Sequence, residues 1–291
     1  MTTRIPATQP PLLAFLTLAG LAGCASDDTE TTTGDGKLVV QLEAEDTITD
    51  GLEPGSDEEN LVDGWTVTYD KYIVALGNVQ IGRGSKTRTG DTNVVIDLTQ
   101  LPTTGFNLAS FDDLATGQWD RFEYELLTAS DASRDSSVSG TDYARMSDAG
   151  LTYLVAGEAT KDSVAITFEF AVPAKTHFGP CEAEEGAPGF VVVEGTDTVV
   201  AATIHGDHLF FNGFPSGAEI TERRADWIRL ADEATGGDGH VDTDDLAGIA
   251  GTDLEVLFPT GAPANEGDAQ YFLAGSPVPV NTALDFVVGQ L

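Results

Sequence analysis

Basic residues are scarce in this chain: 14 Lys and Arg stand against 48 Asp and Glu, for a formal net charge of −34. A surface of that sign repels nucleic acid and anionic headgroups, which excludes a polyanion partner. With only five lysines, the composition fits a solvated surface suited to a salty habitat. It also fits affinity for hard divalent cations, calcium above all, because carboxylate oxygens are their preferred donors. Long apolar runs are missing as well. The longest, residues 12–21, is about half of the ~20 residues that span a bilayer. There is no Gly-x-Ser-x-Gly elbow, no His-Glu-x-x-His, no P-loop and no GxGxxG after a strand. A non-enzymatic protein is therefore expected, with an envelope hydrolase using Cys181 or His208 as the remotest alternative. Carboxylate pairs carry no information in a chain with 48 acidic residues.

Residues 1–23 supply an early cation, Arg4, then the apolar run, then Leu21-Ala22-Gly23 before Cys24. These are the parts of a secretory signal peptide. The Leu-Ala-Gly-Cys box resembles that of bacterial lipoprotein precursors. The resemblance implies that Cys24 becomes the acylated N-terminus and anchors the protein to a membrane through lipid. Ala25 and Ser26 follow, with the first aspartate at Asp27. By resemblance to the enterobacterial sorting rule, that order favours the outer membrane of the cell envelope. Residues 24–36 are small, polar and acidic and read as a flexible tether. Cys181 is then left unpaired in an oxidising compartment, as an inert buried thiol, a reactive thiol or a bridge to another chain.

The rest reads as a mainly β domain over 37–214, followed by a helical segment over 215–291. In 163–173, Val164, Ile166, Phe168, Phe170 and Val172 alternate with smaller or polar residues, the period of a strand with one buried face. Further strands are expected at 37–44, 65–69, 72–81, 94–98, 122–126, 151–156, 190–193 and 198–204, punctuated by Gly, Asp, Ser and Thr. Without helical crossovers among them, the expected architecture is an antiparallel β-sandwich. The aromatics Trp65, Tyr69, Trp119, Phe122 and Tyr124 sit at strand spacing and suit core packing better than a sugar platform. The spacing predicts helices over 219–233 and from Asp242-Thr243 to Gly251, and either a short helix or a strand within 282–290.

Two constellations could hold metal. Between the two expected helices, Asp238-Gly239-His240-Val241-Asp242-Thr243-Asp244-Asp245 resembles the second half of an EF-hand calcium loop. Gly239 falls at the sharp turn, and Asp238, the His240 carbonyl, Asp242 and Asp245 fall at ligand positions. The first half lacks side-chain oxygens at Ala234 and Gly236. The second constellation is Ile204-His205-Gly206-Asp207-His208-Leu209-Phe210-Phe211, which contains half of the four histidines. His205, Asp207 and His208, with His177 upstream, offer donors for Zn2+ or Cu2+. Residues three apart on a regular strand point to opposite faces, so His205 and His208 share an ion only if Gly206 turns the chain.

The Leu-Ala-Gly-Cys leader, VDGWTVTYDKYIVALGNVQI and IHGDHLFF together resemble lipoproteins of myxobacterial type. That resemblance implies a sandwich-like region, a histidine-containing turn and a DxDGDG-type loop, from which this chain departs at Gly236. The expected function is a lipid-anchored envelope protein stabilised by calcium. A transition-metal-binding accessory is the alternative, and an envelope protein or polysaccharide is the partner class.

Overall fold

Period-two alternation over most of the chain has its physical outcome in a mainly β fold. The computed structural model describes residues 33–57, 59–184, 187–212, 222–257, 270–273 and 276–291. The leader, Cys24 and most of the tether lie outside these. In chain order the strands are β1 (Gly36–Ala44), β2 (Thr66–Arg83), β3 (Lys86–Thr89), β4 (Val94–Asp97), β5 (Phe106–Leu114), β6 (Gly117–Trp119), β7 (Arg121–Leu126) and β8 (Ser133–Arg134). They continue with β9 (Tyr153–Lys161), β10 (Val164–Val172), β11 (Thr176–Phe178), β12 (Glu182–Glu184), β13 (Ala187–Pro188), β14 (Phe190–Val192), β15 (Asp197–Ile204), β16 (His240–Asp242), β17 (Gln270–Leu273) and β18 (Ser276–Pro279). The α-helices are α1 (Asp46–Thr49), α2 (Gly140–Ala149), α3 (Asp226–Thr235), α4 (Thr243–Gly248), α5 (Leu254–Leu257) and α6 (Ala283–Val288).

The larger sheet runs β11-β7-β2-β9-β10-β16, with β3, β4 and β8 attached through β2 and β4; a second sheet has the order β15-β1-β5. Pairing is mostly antiparallel, but β1 with β15, β10 with β16, and β4 with β8 are parallel. The apolar run Tyr72-Ile73-Val74-Ala75-Leu76 in β2 explains why that strand is central. Tyr72, Val74 and Leu76 enter the main core, whereas Ile73 and Ala75 enter a second cluster on the opposite face. That second cluster is covered by α2 through Met146, which is fully buried.

Helix α2 is absent from the sequence expectation, yet its stop and start signals are present. The Ser139 side chain accepts from Asp142 N at the start, and Gly150 ends the helix at φ 66°, a left-handed conformation that suits glycine. Strand β5 was likewise not anticipated. Its pairing with β1 shifts register twice, so its buried residues do not alternate regularly. The helix expected from 219 begins at Asp226, because Arg223 is held in extended bridges to Leu61 and Phe211. Residues 213–221 lie outside the described set.

At the C-terminal side, Trp227, Ile228 and Ala231 of α3, Val241 of β16 and Leu246 of α4 belong to the same apolar cluster as the strands. The strand-rich and helical parts thus share one core. Phe170 stacks on Trp227 with ring centroids 5.8 Å apart, and Phe210 approaches the same indole at 6.0 Å. This aromatic contact and the β10–β16 pairing tie the segment after β15 to the sheet.

Candidate metal centre

Strand β15 ends at Ile204, and the chain then turns. Gly206 adopts a helical conformation (φ −77°, ψ −24°), and Asp207–Phe210 form a 3-10 turn. Leu209 and Phe210 anchor that turn by sinking into the core. Gly206 is pinned from both sides: its N–H donates to Thr47 Oγ1 at 3.1 Å and its carbonyl accepts from Tyr69 Oη at 2.5 Å. A Cβ at this position would lie 2.7 Å from Ile48 Cγ1, 3.0 Å from the Thr47 carbonyl oxygen and 3.1 Å from Tyr69 Cε2. Only glycine fits without displacement.

The consequence is that His205 and His208, which a straight strand would direct apart, lie on one side. Their rings stack with centroids 4.8 Å apart and planes 14° from parallel. The Phe211 ring continues the column 4.6 Å from His208, and the Arg223 guanidinium caps it 5.0 Å from Phe211. Donor atoms of His205, Asp207 and His208 all fall within 4.8 Å of one another. Among the described residues no other group of three such donors converges in this way.

Each donor is held in a distinct electrostatic setting. Asp207 is buried; its Oδ2 accepts from Arg223 Nε, and its Oδ1 is buried with no hydrogen-bond partner. An orphaned carboxylate oxygen is costly unless something else satisfies it. Burial pushes the His208 imidazole down to about 4, the nearby His205 and Arg223 adding to the fall while Asp207 opposes it. His208 is therefore neutral near pH 7, the state in which imidazole ligates metal. His205 Nδ1 lies 2.7 Å from Glu45 Oε2. With its Nδ1–H donated to that carboxylate, Nε2 carries the free lone pair, as in carboxylate-backed metal histidines. Glu45 itself is pushed above the ordinary carboxylate value, chiefly by burial, with His205 pulling it back.

Four-coordinate zinc with bonds near 2.0–2.1 Å needs donors about 3.4 Å apart. Starting from separations of up to 4.8 Å, the three donors must close by roughly 1 Å. His205 and His208 are both partly exposed and can move, whereas Asp207 is buried. On the imidazole side lies a cavity of about 270 Å³ lined in part by His205, His208, Tyr124, Leu126, Tyr153 and Phe178.

His177 is not brought to this cluster. It sits on β11 opposite Glu125, with ring nitrogens 3.9 Å from Glu123 and 3.7 Å from Glu125. Cys181 is a free, partly buried thiol pushed up by burial and by Glu123.

At the loop resembling an EF-hand, the carboxylates do not converge as a group of three, and one oxygen of each accepts a backbone N–H. Asp238 Oδ1 accepts from His240 N at 3.0 Å. Asp242 Oδ1 accepts from Asp244 N and Asp245 N, and Asp245 Oδ2 returns the contact to Asp242 N, a reciprocal cap on α4. The His240 ring contacts Thr167 Oγ1 at 2.8 Å, and its backbone pairs with β10.

Sequence reasoning named the three donors but missed their support. Glu45, Thr47 and Tyr69 come from segments far upstream of the turn and Arg223 lies 16 residues after Asp207, and no local pattern marks them. No family model, no curated protein and no solved structure matches this chain.

Proposed function

We propose that this chain is an exported, lipid-anchored cell-envelope protein that binds a transition metal through His205, Asp207 and His208 without itself catalysing a reaction. One observation carries the reading. Three donors of the right chemistry converge within 4.8 Å, and one of them, Asp207, holds a buried carboxylate oxygen with no hydrogen-bond partner. Two imidazoles and a carboxylate suit Zn2+ or Cu2+, and the absence of thiolate or thioether from the set disfavours Cu+. Asp207 would present Oδ1 to the ion while Arg223 holds Oδ2, and Glu45 would fix the orientation of His205. The anchor rests on the residue pattern ending at Cys24. No helix among the described residues is long and apolar enough to cross a membrane.

The test is calorimetric titration of EDTA-stripped protein with zinc, copper(II) and calcium, beside the double variant His205→Ala, His208→Ala. One saturable zinc or copper event that disappears in the double variant is expected. Equal binding by the double variant, or none by the parent, would overturn the reading. Calcium binding lost in Asp238→Ala would instead move the site to the helix-capping loop.

A further inference from the structure

We infer that the metal at His205, Asp207 and His208 keeps one coordination position open toward the adjoining cavity, and that the site takes an uncharged aromatic nitrogen heterocycle there. This inference rests on the metal reading above and names the ligand class of the same site. Three protein ligands leave zinc or copper at least one position for an outside donor. The placement of the three donors says where that position faces. His205 and His208 line the cavity, whereas Asp207 is buried on the protein side and does not. An ion drawn between them has protein behind it and the cavity in front.

The walls set the ligand class. Tyr124 and Phe178 stack with centroids 5.1 Å apart and planes at 24°, presenting aromatic surface next to the imidazoles. Buried Tyr153 and Leu126 extend the apolar wall. Among the described residues, no Lys or Arg side chain lines the cavity, so an anionic ligand body would lose hydration without gaining a cationic partner, and the bound ion would repel a cationic one. Size is adequate: apolar cavities of about 150 Å³ admit a benzene ring, and this one measures about 270 Å³. A flat, uncharged ring with one lone pair satisfies both the walls and the ion. Thr203 lies exposed on the cavity rim, on the strand that leads into His205.

Cobalt(II) loading of the stripped protein gives a visible spectrum that reports coordination directly. The probes are imidazole and 4-phenylimidazole, with protein-bound cobalt measured after gel filtration at each concentration. Both ligands should shift the cobalt bands with cobalt retained, and 4-phenylimidazole should bind at least tenfold more tightly. Thr203→Trp, which fills the rim from the surface, should keep the cobalt bands and the imidazole response while weakening 4-phenylimidazole at least tenfold. Unresponsive bands, equal affinity for the two ligands, or loss of cobalt during titration would overturn the inference while leaving the metal reading intact. Cobalt bands that never form would overturn the metal reading itself, and the inference with it.

Discussion

Substituting Gly206 by Ala isolates the role of the turn from the role of its ligands. The backbone there is in the ordinary right-handed helical region, so alanine meets no conformational penalty; the whole effect is steric. The added methyl would lie 2.7 Å from Ile48 Cγ1 and 3.0 Å from the Thr47 carbonyl oxygen, against a comfortable separation of about 3.5 Å or more. The turn or α1 must therefore shift by roughly 0.5–1 Å, and overpacking of that kind costs about 1–3 kcal/mol. The same shift strains the bonds to Thr47 and Tyr69 and moves the histidines by an amount comparable to the closure the metal requires. Urea denaturation should show a loss of about 1–3 kcal/mol, and zinc titration should show affinity reduced by about tenfold or more, equivalent to ~1.4 kcal/mol. Gly140→Ala is the control. Nothing lies within 4 Å of its added Cβ, at the start of α2, so stability and zinc affinity should hold or improve slightly. Parental stability and affinity in Gly206→Ala would refute the argument that glycine is required to build the site.

Other perturbations separate ligation, support and core. Glu45→Gln keeps the shape but removes the charge behind His205, and should weaken zinc binding by about 10–100-fold with little change in unfolding midpoint. Met146→Ala empties the centre of the cluster beneath α2 and should cost about 2–5 kcal/mol in chemical denaturation, leaving zinc affinity unchanged. Asp242→Ala removes the acceptor of the α4 cap and should cost about 1 kcal/mol without altering zinc binding. In metal-free protein, His208 is held below its unfolded value near 6.5, so the folded state binds fewer protons between that pH and about 4. Its contribution is present above the unfolded value and is lost as pH falls through the folded one, by on the order of 2–3 kcal/mol. Glu45, shifted upward, acts with the opposite sign. The His208 effect is therefore read as the difference between the parent and His208→Phe in urea midpoints from pH 7.5 to 4.5, and parallel curves would contradict it.

The strands that were legible in the sequence are those whose burial alternates cleanly. In β10, Ile166, Phe168, Phe170 and Val172 are buried as the pattern requires; only Val164, at the strand's start, is 42% exposed. Strand β5 was hidden because bulges break its parity. Helix α2 was hidden because it buries chiefly one residue, Met146, and so carries almost no apolar stripe. The candidate site divides the same way. Proximity of His205 and His208 could be posed as a question about Gly206, because both lie on one short segment. The answer depended on Thr47, Ile48 and Tyr69, which press on that glycine from segments more than a hundred residues away. Likewise, Asp238, Asp242 and Asp245 have the spacing of ligands, of a turn acceptor and of a helix cap alike. Only the positions of the backbone N–H groups distinguish the two uses.

Anomalous diffraction from crystals of the zinc-loaded protein, collected on either side of the zinc edge, tests the central claim most directly. The account predicts one strong peak about 2.0–2.2 Å from a ring nitrogen of His205, a ring nitrogen of His208 and Asp207 Oδ1. A peak at Asp238, Asp242 and Asp245 or at His177, or no peak while His205 and His208 remain stacked, would contradict it.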